Sequence, residues 1–169
     1  MCDILSLDKD KVKLLIDNFK PLEHRMELVG EYEKITFYND SIATIPEATI
    51  NCVKAIPNCK TLIIGGLNRG IDLSLLTNFL MEDNSLENII CLKDTGYMIA
   101  DELEREGCKK RLLKALDMED AVNLAYKYTK ENYTCIFSPA AASYNVYKNF
   151  EERGKHYKEL IRKNGKASN

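Results

Sequence analysis

Thr61-Leu62-Ile63-Ile64-Gly65-Gly66 and, further on, Tyr133-Thr134-Cys135-Ile136-Phe137-Ser138-Pro139 decide the fold. Each is a short apolar run that stops at residues suited to tight turns. A strand with one wet face alternates apolar and polar residues, whereas a strand covered on both faces reads as nearly continuous apolar sequence. Both stretches therefore read as strands of a parallel sheet. Asn88-Ile89-Ile90-Cys91-Leu92 is a third run of this kind, and a weaker strand is placed near Lys110–Leu113. Helices are predicted over Ser74–Met81, Gly96–Glu106 and Met118–Lys130, and over Asn145–Lys163 after the last strand. Such alternation means βαβ units with right-handed crossovers and helices on both faces of the sheet.

Upstream, the pattern changes. Met26–Val29 and Lys34–Tyr38 are β-rich, and the connector Gly30-Glu31-Tyr32-Glu33 is of hairpin length, which predicts an antiparallel pair at one edge of the sheet. A helix follows over Pro46–Ile56, with proline suited to its first turn and Pro57-Asn58 to end it. Val12, Leu15, Ile16 and Phe19 are spaced as one face of a short lead-in helix within residues 1–20. The expected fold is α/β: a Rossmann-like three-layer domain over residues 21–164, a mainly parallel sheet with an N-terminal antiparallel hairpin at one edge, and a frayed tail over 165–169.

The chain has 169 residues, 45% hydrophobic and 30% charged, with net charge −2. Mixed charges leave no basic footprint for nucleic acid and no polybasic patch for a membrane. No apolar run approaches the roughly 20 residues a spanning helix needs. The N-terminus lacks the features of a signal peptide, so a cytoplasmic location is expected. The six cysteines form no C-x-x-C pair, and neither His24 nor His156 falls at zinc-motif spacing from them. Reduced, mostly buried thiols and no metal site are expected.

In open α/β sheets ligands sit beyond the carboxyl ends of the strands, which selects three loops. Asn39-Asp40-Ser41 groups an amide, a carboxylate and a hydroxyl, suited to a ligand or equally to a turn. Thr44 can bond a ligand or cap the next helix, and capping is the expected use. Gly65-Gly66-Leu67-Asn68-Arg69-Gly70 lets backbone approach a ligand and adds a guanidinium that grips a carboxylate or phosphate; its glycines equally suit a tight turn. Ser138-Pro139-Ala140-Ala141-Ala142-Ser143 is read as opening the last helix, where free N–H groups can meet an anion or small residues can pack closely. The sequence contains neither a G-x-x-x-x-G-K-[ST] phosphate loop nor a G-x-G-x-x-G fingerprint.

In order along the chain, several strings resemble one family. Leu22-Glu23-His24-Arg25-Met26-Glu27 resembles L-P-H-R-x-E, Asn39–Thr44 resembles N-D-S-K-A-T, and Gly65–Gly70 resembles G-G-x-D-[KR]-G. Ser138–Ser143 with Lys148-Asn149-Phe150-Glu151-Glu152-Arg153-Gly154 resembles S-P-A-x-A-S…K-N-F-E-x-R-G. These strings belong to the C-terminal domain of UDP-N-acetylmuramoyl-L-alanine:D-glutamate ligases, in the Mur ligase family. The resemblance runs from about Phe19 to the C-terminus. It implies one domain of a three-domain, ATP- and Mg²⁺-dependent enzyme of peptidoglycan synthesis. That enzyme activates a carboxylate as an acyl phosphate and joins it to the amine of D-glutamate. It also implies that Thr44, Arg69, Ser143, Tyr144 and Phe150 surround D-glutamate, while Arg25 and Asp40 face the nucleotide. ATP and UDP-N-acetylmuramoyl-L-alanine are then held by the other two domains. No catalytic residue is assigned to this chain, and by itself it is expected to be inactive and to hold no ATP. A stand-alone domain that binds an amino acid without catalysis is the alternative. Two positions depart from the pattern: Ile42 stands where the family has Lys, and Asn68 where it has Asp.

Overall fold

The computed structural model describes residues 8, 11–14 and 21–166. Of the predicted lead-in helix, Lys11–Leu14 is helical and the remainder lies outside the described residues, as does the end of the tail over 167–169. Six strands form one sheet: β1 (Glu27–Tyr32), β2 (Ile35–Asn39), β3 (Cys59–Gly66), β4 (Asn88–Asp94), β5 (Arg111–Lys114) and β6 (Thr134–Phe137). Their spatial order is β1-β2-β6-β3-β4-β5. Only β1 and β2 pair antiparallel; β2–β6, β6–β3, β3–β4 and β4–β5 are all parallel. Among the described residues, five helices connect and cover the strands: α1 (Pro46–Ala55), α2 (Ser74–Glu82), α3 (Thr95–Arg105), α4 (Met118–Tyr128) and α5 (Phe150–Asn164).

The strand period of two sorts side chains into two cores. Leu62, Ile64, Ile89, Cys91 and Ile136 pack with residues of α1, α2 and α3. Their neighbours Ile63, Ile90, Leu92, Cys135 and Phe137 pack on the other face with residues of α4 and α5. Continuous apolar strands are thus explained, because both faces are covered. Four of the five free cysteines among the described residues are buried in these layers, as expected.

Two elements differ from the sequence expectation. The hairpin reverses at Glu33-Lys34, both in the left-handed region at φ 51° and 60°, rather than over Gly30–Glu33. A two-residue turn of that hand matches the natural twist of paired strands. Gly30, at φ 143°, marks an irregularity in the β1–β2 register and not the turn. The last helix starts at Phe150, not near Asn145. Asn149 caps it by accepting a hydrogen bond from the Glu152 N–H at 2.8 Å, and residues 143–148 form turns. At the far end, Lys166 exchanges backbone and side-chain bonds with Glu33 in the hairpin turn.

Candidate functional site

Strands β2, β6 and β3 are adjacent and parallel, so the loops that follow them leave the same edge of the sheet. Asn39–Thr44, Gly65–Asp72 and Ser138–Phe150 are those loops, and they are stitched together. The Ser138 hydroxyl donates to Asp40 Oδ2 at 2.8 Å, and the Ser41 hydroxyl donates to the Phe150 carbonyl at 2.7 Å. Gly65 N–H donates to the Pro139 carbonyl and Leu67 N–H to the Ala142 carbonyl, both at 2.9 Å. Gly66 is required at this seam: its φ is 152°, and a Cβ there would lie 2.4 Å from the Ala142 oxygen.

Arg153, on the first turn of α5, is the hub. It is 2% exposed and its guanidinium spans two loops, with Nε to the Ser41 hydroxyl (3.1 Å), Nη2 to the Ser41 carbonyl (2.8 Å) and Nη1 to the Ala141 carbonyl (3.0 Å). It also lies over the Phe137 ring at 5.7 Å. Burial lowers its pKa to about 10, so it stays cationic at neutral pH. Its partners are neutral oxygens, and none of the ion pairs found among the described residues includes it. The sequence reading gave Arg153 no role. The signal was Gly154 beside it, because glycine inside a helix costs about 1 kcal/mol and calls for a packing reason.

Two clefts open beside this hub. One, of about 390 Å³, lies at the ends of β3 and β4 and between α4 and α5. Leu92, Leu116, Met118 and Val146 give it apolar walls, while Lys93, Arg153 and His156 on one hand and the carboxylates of Asp117 and Glu119 on the other supply its ionisable groups. Tyr147 and His156 join across 2.8 Å on its wall. Its mouth is fastened where Asn145 Nδ2 donates to Asp94 Oδ2 at 2.8 Å. The other cleft, of about 470 Å³, is lined by Arg25, Asp40, Ile42, Thr44, Glu47 and Asn51 among others.

The carried-over residues divide between these places. Arg25, Asp40 and Thr44 share the second cleft, together with Ile42. Asp40 is only 4% exposed and its carboxylate is already engaged by Ser138 and by the Met26 N–H. Burial raises its pKa, opposed by those bonds and by Arg25. Thr44 does not cap α1, whose N-cap is Ile45 without a side-chain bond. Ser143 is buried, its carbonyl accepting from the N–H groups of Val146 and Tyr147. It stands next to the Leu67–Ala142 bridge. Tyr144 is 65% exposed and Arg69 is exposed on its loop. Phe150 is half-buried, edge-on to His24 at 6.0 Å. Ser138–Ser143 does not open α5, which starts at Phe150.

A third group was missed by the sequence reading. Lys158 Nζ donates to Glu23 Oε1 at 2.8 Å and to Glu27 Oε1 at 2.7 Å, and His24, 2% exposed, lies between them. Glu23, His24 and Glu27 are the one cluster among the described residues with metal-ligand spacing. The cation that satisfies its carboxylates is the lysine.

The chain is 34% identical over 161 residues to the UDP-N-acetylmuramoylalanine--D-glutamate ligase of Acetivibrio thermocellus, covering 92% of the chain and 34% of that enzyme. It is 34% identical over 164 residues to the enzyme of that name from Fusobacterium nucleatum, covering 95% and 37%. The chain therefore spans about a third of the length of these curated relatives. In fold it is similar to UDP-N-acetylmuramate-alanine ligase MurC from Thermotoga maritima (TM-score 0.63, 18% identity, 96% of this chain and 35% of that one). It is also similar to MurF ligase from the same organism, solved in complex with ADP (TM-score 0.61, 17% identity, 96% and 36%). No family model matches. In fold the chain thus resembles part of the Mur ligases, and over 92–95% of its length it is similar in sequence to enzymes that carry the D-glutamate ligase name.

Proposed function

We propose that this domain is the amino-acid-binding and closing domain of an ATP-dependent, amide-forming ligase that adds D-glutamate to UDP-N-acetylmuramoyl-L-alanine in peptidoglycan synthesis. The supporting observation is the meeting of three strand-end loops at one edge, around a buried arginine and between two clefts. In this reading Thr44, Arg69, Ser143, Tyr144 and Phe150 surround D-glutamate, and Arg25 with Asp40 faces the nucleotide. A dicarboxylate suits an edge that offers an exposed guanidinium at Arg69.

The residues present fit one face of a nucleotide rather than a phosphate-holding site. Arg25 and a largely buried Asp40 line an open cleft, and the sequence has no phosphate loop. Activation of the acceptor carboxylate is the chemistry that ATP with Mg²⁺ supplies when bound by the rest of the enzyme. This chain's part is to orient the amine, to bring Arg25 to the nucleotide, and to exclude water as the domain closes.

A hybrid tests the reading: the chain replaces the corresponding third of the Acetivibrio thermocellus relative. Phosphate release should require both D-glutamate and UDP-N-acetylmuramoyl-L-alanine. A folded hybrid without D-glutamate-dependent release overturns the proposal. The second reading, a stand-alone domain that binds an amino acid without catalysis, is favoured by Ile42 in place of the family's lysine. Heat on titrating D-glutamate into the chain, together with a silent hybrid, would support it.

A further inference from the structure

We propose that Lys158 of α5 is a positioning residue for Arg25: it clamps the segment in which Arg25 stands, so that the nucleotide-facing guanidinium is held in place by the last helix. The inference deepens the proposed function and rests on its placing of Arg25 toward the nucleotide.

Arg25 stands between two residues in the left-handed region, His24 at φ 64° and Met26 at φ 41°. Neither is glycine, so bonds from outside the segment must hold this backbone. His24 N–H donates to Glu27 Oε2 at 2.9 Å, Met26 N–H donates to Asp40 Oδ1 at 3.1 Å, and the His24 carbonyl accepts from Ile42 N–H at 3.2 Å. Asn39 Nδ2 lies 2.9 Å from both Glu27 Oε2 and His24 Nδ1. An amide nitrogen can only donate, so Nδ1 accepts and the imidazole proton sits on Nε2. That buried Nε2 has no hydrogen-bond partner; Glu23 Oε1 is 3.5 Å away.

What fixes Glu23 and Glu27 is Lys158, whose side chain is 8% exposed and reaches both carboxylates. Helix α5 comes this close because Gly154, one turn earlier on the same face, has no side chain: a Cβ there would be 2.3 Å from His24 Nδ1. Two residues of one helix, Gly154 and Lys158, thus bring it against the imidazole and clamp the carboxylates on either side of it. Arg25 itself makes no side-chain bond in this clamp, so the clamp serves its position and not its charge.

The test compares Lys158→Met and Lys158→Arg in the hybrid ligase. Lys158→Met should raise KM for ATP about tenfold while kcat and KM for D-glutamate change less than about twofold, the pattern of lost binding at one substrate only. Lys158→Arg, which keeps the charge, should recover most of the loss. Glu27→Gln should give the same split as Lys158→Met. An unchanged KM for ATP overturns the proposal. So does a parallel loss in both KM values and kcat, which would mean general loosening. Should the wild-type hybrid be inactive, the proposed function fails and the clamp is read on the chain itself by ¹H–¹⁵N NMR. Lys158→Met must then shift the amides of His24, Arg25, Met26 and Ile42 and leave those of β4 and β5 in place. Unshifted amides at His24–Met26 overturn it.

Discussion

A buried cation bound only to neutral oxygens is costly unless its geometry is kept, which makes Arg153 the residue whose change the fold should feel most. Lysine carries the same charge but has one nitrogen, where Arg153 uses three on Ser41 and Ala141. We expect Arg153→Lys to cost about 2–4 kcal/mol in chemical denaturation. A loss under about 0.5 kcal/mol would mean that the hub is not built as described. Ile42 is the opposite case. It is half-buried on the wall of an open cleft that also contains Asp40 and Glu47. A lysine there can send its ammonium toward solvent or Glu47, so Ile42→Lys should leave the melting temperature within about 3 °C of the wild type. A large drop would place position 42 in the core. Gly66→Ala should be severe for its size, because its Cβ meets the Ala142 carbonyl and its φ suits glycine alone.

Among the elements, the turn that carries His24 and the helix that clamps it give the protein its pH response. Burial is the main cause that lowers the His24 pKa from its ordinary 6.5, with Lys158 adding to it and Glu23, Glu27 and Glu151 opposing it. The unfolded chain therefore takes up this proton before the folded one. Stability is fully present above 6.5 and falls as the pH drops below it. Glu23 and Glu27 are lowered from 4.5, Glu23 chiefly by Lys158, and Glu27 by Lys158, the His24 N–H and Asn39 against the opposing effect of burial. Their contribution is lost in a second step below 4.5. Asp40, raised by burial, acts in the reverse sense in that lower range and softens the second step. His24→Gln should flatten the decline that begins below pH 6.5 while keeping the one below 4.5, as read from urea midpoints. These elements also show what the sequence could disclose. The central strands were legible because burial on both faces leaves an apolar signature in consecutive residues. The hairpin turn was not, because Glu33 and Lys34 adopt left-handed φ without the Asn-Gly composition that announces it. The start of α5 was misplaced because Asn145 is as suitable an N-cap as Asn149. Asn149 and Glu152 form the actual cap. The loops at the carboxyl edge were legible from the strand-end rule. Arg153 and Lys158 were not, since Ser41, Glu23 and Glu27, which they bind, lie more than a hundred residues away in sequence.

For the molecule as a whole, the domain spans about a third of the length of its relatives. We expect calorimetric titration of the chain with ATP and Mg²⁺ to give no low-micromolar binding, because its sequence has no phosphate-loop motif. Tight binding would instead place a complete nucleotide site within these residues. Among the described residues no helix is long and apolar enough to cross a membrane. One further property comes from the seam between the loops after β3 and β6, where Leu67 pairs with Ala142 and Gly65 with Pro139. Two loops laced in this way cannot tune their shapes separately. Arg69 and Ser143 sit on opposite sides of the lacing, so a double-mutant cycle between them should show coupling of more than about 0.5 kcal/mol without direct contact. If these loops hold the amino acid as proposed, its preference is hard to change by altering either loop alone: the two will have to be exchanged as a matched pair, like the halves of a mould.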